Sequence, residues 1–118
     1  MSENLTKFFN GIRERCPNTR ILTDEEDRLI YSHGCYPREY KWMLQGKYPH
    51  VTDGVLVPSD AGEISRILVL ANEISVSVIP FGGGSGIVGG TIPYSGQVII
   101  DTKRLTDFSV NAVNMTAR

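Results

Sequence analysis

The sequence predicts an α+β domain with a small mixed sheet, a parallel β-α-β unit and flanking helices. Three short apolar runs, at residues 55–58, 76–79 and 98–101, have the composition of buried strands. The pattern between the first two runs, over residues 60–74, is that of an amphipathic helix. Because two parallel strands need a long crossover connection, this order predicts a β-α-β unit with the usual right-handed crossover.

The first element is an amphipathic helix over residues 4–15. Its apolar residues recur at i, i+3, i+4 and i+7, namely Leu5, Phe8, Phe9 and Ile12. We expect this stripe to dock on the core, with binding to a membrane surface or a partner as the alternative. We assign residues 1–20 to this helical segment and residues 21–118 to the rest of the domain.

Residues 21–31 predict a very short strand and then a turn of helix. Thr23 is the expected N-cap, with Glu26 three residues later. The four acidic residues at 24–27 could suggest a metal site. Negative charge is also favourable at the start of a helix, and we adopt that explanation.

The long connection at residues 32–53 contains four aromatic residues and a predicted helical turn at residues 38–44. Connections of this length in small domains are usually packed against something or functional. The charges around the aromatic side chains are of mixed sign, so we interpret the rings as packing groups rather than as a platform for stacked bases.

The helix at residues 60–74 begins with a predicted capping box, formed by Asp60 and Glu63. Its apolar face is predicted to contain Ile64, Ile67, Leu68, Ala71 and Ile74. After the last buried strand, residues 102–107 predict a turn. A further strand is expected around Asn111 and Asn114.

The glycine-rich stretch at residues 80–90 is the strongest candidate for a functional site in the sequence. Six of the nine residues from Gly82 to Gly90 are glycine. Fixing six glycines costs about 3–6 kcal/mol relative to alanine, a large amount beside a domain stability of ~5–15 kcal/mol. Glycine also lets main-chain N–H groups approach a ligand, so the loop predicts a phosphate-binding backbone, with a flexible loop without a ligand as the alternative.

The side chains that this loop lacks limit the kind of phosphate. No Lys, Arg or His occurs between Ile79 and Val98, and the string G-x-x-x-x-G-K-[ST] is absent, so a nucleoside triphosphate with magnesium is disfavoured. A dinucleotide diphosphate, held by main-chain amides and the hydroxyl of Ser85 or Thr91, fits neutral donors better.

A Rossmann interpretation also has to be considered, because residues 84–89 match G-x-G-x-x-G. That motif requires a helix that carries the chain to the next strand. Only seven residues, which include Pro93 and Gly96, separate Gly89 from Gln97. A crossover helix does not fit into that length, and we disfavour the Rossmann interpretation.

Composition limits partners and location. Twelve basic and thirteen acidic residues give a net charge of −1, which disfavours nucleic acid and anionic membrane surfaces as partners. No apolar run approaches the ~20 residues that span a bilayer, and no signal-peptide pattern opens the chain. The cysteines Cys16 and Cys35 are isolated and the histidines form no ligand pair, so the sequence predicts no metal site.

Several segments together resemble the FAD-binding domain of the p-cresol methylhydroxylase type, in the vanillyl-alcohol oxidase superfamily. They are residues 53–59, 63–64, 78–85 and 98–101, with Leu105. Further segments resemble the alkyldihydroxyacetonephosphate synthases and their bacterial FAD-linked oxidase relatives, at residues 32–34, 39–46, 51–55 and 114–118. The resemblance implies that residues 21–118 are the truncated N-terminal part, or first subdomain, of an FAD-binding domain.

The resemblance also implies which residues bind the cofactor. The loop that wraps the FAD diphosphate corresponds to Pro80, Phe81, Gly82, Gly83, Gly84, Ser85 and Gly86. Some relatives attach the flavin covalently through a histidine in this loop, where this sequence has Ser85 and Gly86. Dissociable FAD is therefore expected.

For the whole protein, the resemblance implies an FAD-dependent enzyme whose catalytic residues are unknown. The C-terminal half of the flavin domain and the cap domain have no counterpart in the 118 residues, so we expect a fragment that is inactive alone. The implied reaction is the replacement of an acyl by an alkyl group on a dihydroxyacetone phosphate ester, in ether-lipid synthesis. Alternatives are an oxidoreductase of a D-2-hydroxy acid such as lactate or glycolate, or a non-catalytic module that binds nucleotide diphosphates. An intracellular location is expected: cytoplasmic, or peroxisomal for a eukaryotic synthase.

Overall fold

The computed structural model describes residues 2–94 and 96–118. A four-stranded mixed sheet forms its centre, made of β1 (Arg20–Leu22), β2 (Gly54–Val57), β3 (Val78–Phe81) and β4 (Val98–Asp101). The strand order is β1-β2-β4-β3, in which β1 is antiparallel to β2 and the other pairs are parallel. The predicted α+β class with a mixed sheet is confirmed.

The helices are α1 (Glu3–Arg15), α2 (Glu25–Tyr31), α3 (Pro37–Leu44) and α4 (Ala61–Ile74). All four agree in type and place with the sequence analysis, and α3 begins with a proline at its first position, where no amide is needed. Within the described residues, none of them is both long and apolar enough to cross a bilayer.

The predicted β-α-β unit exists in a modified form. Helix α4 joins β2 to β3, and both strands run in the same direction, as expected. They are not neighbours, however, because β4 lies between them and pairs with each: Ile99 is in register with Val55 on one side and with Ile79 on the other. The strand that follows the glycine loop is therefore central, and β3 is at the edge of the sheet.

The two faces of the sheet carry two apolar clusters, because neighbouring residues of a strand point to opposite sides. One face packs against α1 and α4, and its cluster includes Phe8, Phe9, Ile12, Leu56, Ile67, Leu70, Val98 and Ile100. The other cluster contains Val55, Val57, Phe81 and Ile99. The predicted docking of the N-terminal helix on the core is thus confirmed.

Helix α4 shows one error in the predicted apolar face. Leu68 is 47% exposed, whereas Leu70, which the sequence analysis left out, is buried. The buried stripe is centred near Ile67, and Leu68 lies about 100° from it around the helix. Leu70 lies on the other flank of Ile67 and reaches the core beside Gly11 of α1.

Three predicted boundaries were wrong. The N-cap of α2 is Asp24 rather than Thr23, and its side chain makes no capping hydrogen bond. Strand β3 starts at Val78 instead of residue 76, because the chain leaves α4 through the left-handed residue Ser75. The single strand predicted near the end is a hairpin of β5 (Val110–Asn111) and β6 (Thr116–Ala117).

The hairpin forms because the side chain of Asn111 interrupts the strand. Its Oδ1 accepts the N–H groups of Val113 and Asn114, each at 3.0 Å. Such a side-chain turn competes with extended pairing and reverses the chain.

Glu63 is a fully buried carboxylate at the start of α4. Asp60 accepts the Glu63 N–H at 2.8 Å, as predicted for the cap, but the Glu63 side chain does not return to Asp60. Its oxygens instead accept the N–H of Asn18 at 3.1 Å, the hydroxyl of Thr19 at 2.9 Å, and the N–H and hydroxyl of Ser59 at 2.7 and 2.9 Å. Glu63 therefore ties the connection before β1 to the connection after β2.

These hydrogen bonds also set the protonation of Glu63. Burial raises its pKa, but the donors on Ser59, Thr19 and Asn18 favour the ionised form and outweigh burial, so the pKa lies below its ordinary value of 4.5. The carboxylate is ionised at neutral pH, and among the described residues it has no basic partner.

We expect Glu63→Gln to lower the free energy of unfolding by about 1–3 kcal/mol at pH 7, because its amide NH2 group would face main-chain donors. Since the folded-state pKa of Glu63 is lowered, its contribution is complete above pH 4.5 and is lost as the pH falls through the lowered value. Urea unfolding of the two proteins should therefore converge in acid. The exposed Glu14→Gln is the control, and equal midpoints for Glu63→Gln and wild type at pH 7 would contradict the assignment.

Candidate cofactor-binding site

The glycine loop, residues 82–90, leaves the carboxyl end of β3. Ligands bind at this end of the strands in open α/β sheets. Among the described residues between β3 and β4 there is no helix. The Rossmann interpretation therefore fails, as the sequence analysis expected, because the helix that would receive a pyrophosphate is missing.

The seven candidate cofactor residues divide between strand and loop. Pro80 and Phe81 are the last residues of β3, in register with Ile100 and Asp101 of β4, and the rest, Gly82 to Gly86, lie in the loop. Proline is tolerated in β3 because the strand is at the edge of the sheet.

The ring of Phe81 lies under the loop. It is buried and packs edge-to-face on Tyr31, with the ring centres 5.2 Å apart. A β-carbon added at Gly84 would lie 2.8 Å from Cζ of Phe81, and Gly84 has a φ of +69°. Only glycine satisfies both conditions at this turn.

The main-chain donors of the glycine loop are unpaired. Within residues 2–94 and 96–118, no amide from Gly82 to Gly90 donates a hydrogen bond to a protein acceptor. A β-carbon added at Gly82, Gly86 or Gly90 would meet nothing within 4 Å. The loop thus carries a row of free N–H donors beside open space, and the exposed hydroxyl of Ser85 lies within it.

Residues 33–36, which we call the bracing segment, lie against the glycine loop. A β-carbon at Gly34 would be 3.3 Å from Oγ1 of Thr91 and 3.6 Å from the carbonyl oxygen of Gly86. Sγ of Cys35 is 3.7 Å from the carbonyl oxygen of Gly84. Nothing in the local sequence marks this segment as part of a site, because its contact with the loop joins residues about fifty positions apart.

Asp101, at the end of β4, is the centre of a polar cluster beside Phe81. It is buried and accepts hydrogen bonds from the Tyr31 hydroxyl at 2.6 Å and the Lys103 N–H at 2.9 Å, and Nζ of Lys103 lies 3.3 Å from Oδ2. Burial, together with the neighbouring Asp101, raises the pKa of Tyr31. Burial lowers the pKa of Lys103, but the negative charge of Asp101 outweighs it and the pKa is raised.

Lys103 places a positive charge at the base of the loop. This charge was not predicted from the sequence. Its Nζ lies 5.2 Å from the centre of the Phe81 ring. The stretch between Ile79 and Val98 has no basic residue, but the parallel pairing of β3 with β4 places the residues after Asp101 beside the start of the loop. The adjacent carboxyl ends of the two strands were the signal that could have pointed to it.

The other candidate groups give no further site. The described residues contain no group of three His, Cys, Asp or Glu side chains that could hold a metal ion. Cys16 is buried, and Cys35 is exposed. The ring of His50 lies between Trp42 and Tyr94, with ring centres 5.7 and 4.7 Å away, which is a packing contact.

Comparison with known proteins identifies the family. The FAD binding domain family matches residues 52–118, which include β2, α4, β3, the glycine loop and β4. The glycolate oxidase subunit GlcD of Bacillus subtilis (strain 168) is 32% identical over 91 residues, which cover 76% of this chain and 17% of that protein.

Two solved structures have similar folds. An alkyldihydroxyacetonephosphate synthase superposes with a TM-score of 0.81 and 27% identity, covering 95% of this chain and 21% of the synthase. A p-cresol methylhydroxylase with substrate bound superposes with a TM-score of 0.70 at 15% identity, covering 94% of this chain and 21% of the other, which is a likeness of fold alone. The chain spans about a fifth of the length of these proteins. It belongs to the FAD binding domain family, and its fold is that of the vanillyl-alcohol oxidase superfamily, as its sequence motifs indicated.

Proposed function

We propose that the glycine loop binds the diphosphate of FAD, and that this chain acts as the N-terminal part of an FAD-dependent enzyme. The observation that carries the proposal is the row of amides from Gly82 to Gly90 that have no acceptor among the described residues, with open space at Gly82, Gly86 and Gly90. Free main-chain donors at the carboxyl end of a parallel strand suit an anion with spread charge.

The residues at the site fit this cofactor. The amides of Gly82 to Gly86 and the hydroxyl of Ser85 are the proposed donors, while Pro80 and Phe81 fix the start of the loop. Lys103 adds positive charge nearby, although Asp101 largely compensates it. When bound, the isoalloxazine ring supplies the redox chemistry, and this chain holds and orients the nucleotide.

We propose that the flavin is held without a covalent bond at this loop. Residues 80–90 contain no histidine, cysteine, tyrosine or aspartate that could form an attachment, and Ser85 and Gly86 stand where some relatives have a histidine. The exchange of FAD with solution then depends on main-chain hydrogen bonds.

For the whole protein we propose a reaction of the alkyldihydroxyacetonephosphate synthase kind, in which an alkyl group replaces the acyl group of a dihydroxyacetone phosphate ester without net redox change. The fold similarity to such a synthase over 95% of the chain supports it. The 32% identity to a glycolate oxidase subunit supports the second candidate, an oxidoreductase of a D-2-hydroxy acid. Two assays of the full-length protein separate these candidates. Exchange of a fatty alcohol for the acyl group of a dihydroxyacetone phosphate ester supports the synthase, and reduction of a dye by glycolate or D-lactate supports the oxidoreductase.

A non-catalytic module that binds nucleotide diphosphates is the third candidate. Calorimetric titration of the 118-residue chain with FAD and with ADP distinguishes it: tight binding by these residues alone favours the module. Weak binding fits a chain whose flavin contacts need the rest of an enzyme. The location, cytoplasmic or peroxisomal for a eukaryotic synthase, stays a prediction.

A matched pair of substitutions in the loop tests the cofactor assignment. Gly82→Ala and Gly90→Ala both place a methyl group in open space, so both should raise the free energy of unfolding by a similar amount, about 0.5–1 kcal/mol, because alanine has less backbone freedom to lose. Gly82 belongs to the proposed diphosphate segment and Gly90 does not. Fluorescence titration of the deflavinated full-length protein should show about tenfold weaker FAD binding for Gly82→Ala alone, a loss of ~1.4 kcal/mol.

Gly84→Val should disrupt the loop itself. The left-handed backbone at Gly84 costs a side-chain-bearing residue about 1–2 kcal/mol, and the new β-carbon would clash with Phe81 at 2.8 Å. We expect the full-length variant to purify colourless, with thermal unfolding below that of wild type. A yellow variant with wild-type flavin content would refute the role of this turn.

Acid precipitation tests the absence of a covalent bond. Denaturing the flavin-loaded protein with trichloroacetic acid should release all of the yellow colour into the supernatant, because hydrogen bonds do not survive unfolding. Flavin that stays with the pellet after washing, detected by fluorescence in a denaturing gel, would overturn the proposal.

A further inference from the structure

We propose that Glu39 is a positioning residue for the glycine loop, acting through the bracing segment; the inference rests on the proposed FAD site. Glu39 lies on α3 and is only 5% exposed. Among the described residues its carboxylate has no basic partner, and the contact that the structure gives it is with the bracing segment: Oε2 accepts the N–H of Gly34 at 3.0 Å.

A buried carboxylate is costly where no opposite charge compensates it. A leucine at the same place on α3 would pack without that cost. What glutamate adds is an oxygen that accepts a hydrogen bond from one main-chain donor, which fixes Gly34 relative to α3.

Gly34 lies close to the glycine loop and to Thr91, which directly follows the loop. There is no room for a side chain larger than hydrogen without pressing on Oγ1 of Thr91, 3.3 Å from the added β-carbon. The carbonyl oxygen of Gly86 and that of Gly84, next to Cys35, complete this contact. Tyr36 approaches Gly89, where an added β-carbon would lie 3.5 Å from its ring.

The loop needs such external support because it has little of its own. Its amides from Gly82 to Gly90 make no hydrogen bonds within the described residues, and glycine has the largest backbone freedom to lose. Phe81 supports the loop from the strand, and the bracing segment supports it at Gly84, Gly86 and Gly89. Displacing Gly34 therefore loosens the donors before a diphosphate arrives, and binding has to order them.

The test compares two variants of the full-length protein that differ in whether residue 39 can accept a hydrogen bond. Glu39→Gln keeps the shape and an oxygen that accepts from Gly34, whereas Glu39→Leu keeps the size and removes the acceptor. After deflavination, FAD affinity is measured by fluorescence and folding of the apoprotein by thermal unfolding. We expect about tenfold weaker FAD binding for Glu39→Leu, since the N–H of Gly34 then loses its acceptor, and an affinity within about twofold of wild type for Glu39→Gln.

Two controls separate positioning from general stability. Glu14→Leu makes the same change at an exposed site on α1 and should leave FAD affinity unchanged. If Glu39→Leu does not fold, Gly34→Ala replaces it: the added methyl presses on Thr91 while Glu39 remains, and FAD affinity should fall with thermal unfolding of the apoprotein close to wild type.

The outcomes are distinguishable. Wild-type affinity in Glu39→Leu, or in Gly34→Ala where that variant is used, overturns the positioning role and leaves the FAD site intact. Equal losses in Glu39→Gln and Glu39→Leu overturn it as well, because the charge and not the accepted hydrogen bond would then matter. A wild-type protein that does not bind FAD overturns the proposed function and this inference together.

Discussion

The conformation of the glycine loop depends on contacts from outside the loop. Its amides pair with no protein group in the described residues, so hydrogen bonds within the loop do not define its shape. The ring of Phe81 under Gly84 and the bracing segment beside Gly86 do so instead. The first support is in turn fixed by the sheet, because Phe81 ends β3 and packs on Tyr31, which bonds to Asp101 of β4. This support therefore requires β4 to lie beside β3.

This dependence explains which parts of the fold could be predicted from the sequence. Helices α1 and α4 and strands β2 and β4 follow from local periodicity and length, and each was found in its place. The pairing of β4 between β2 and β3 could not be read from periodicity, since a parallel strand has the same pattern at the edge and at the centre. The hairpin at the end depended on one side chain, Asn111, whose local hydrogen bonds outweighed the extended tendency of its neighbours.

The candidate site shows the same division. Glycine content and the absence of basic residues pointed to the loop and to main-chain recognition, because these are properties of one continuous segment. Tertiary contacts place Gly34 beside the loop, Glu39 against Gly34 and Lys103 over Phe81, and no spacing in the sequence marks these residues. Of the predicted capping pair after β2, Asp60 caps α4 as expected. Glu63 instead accepts hydrogen bonds from donors that include Asn18, which lies before β1 and comes near only in the folded chain.

Pro80 has an effect beyond the glycine loop. Strand β3 forms one border of the sheet, and an unpaired border is where a strand from another molecule can add and start aggregation. Proline carries no amide hydrogen, so the row of donors along β3 is interrupted one residue before the strand ends. The proline that stands two residues before the glycine loop thus also discourages the sheet from growing between molecules.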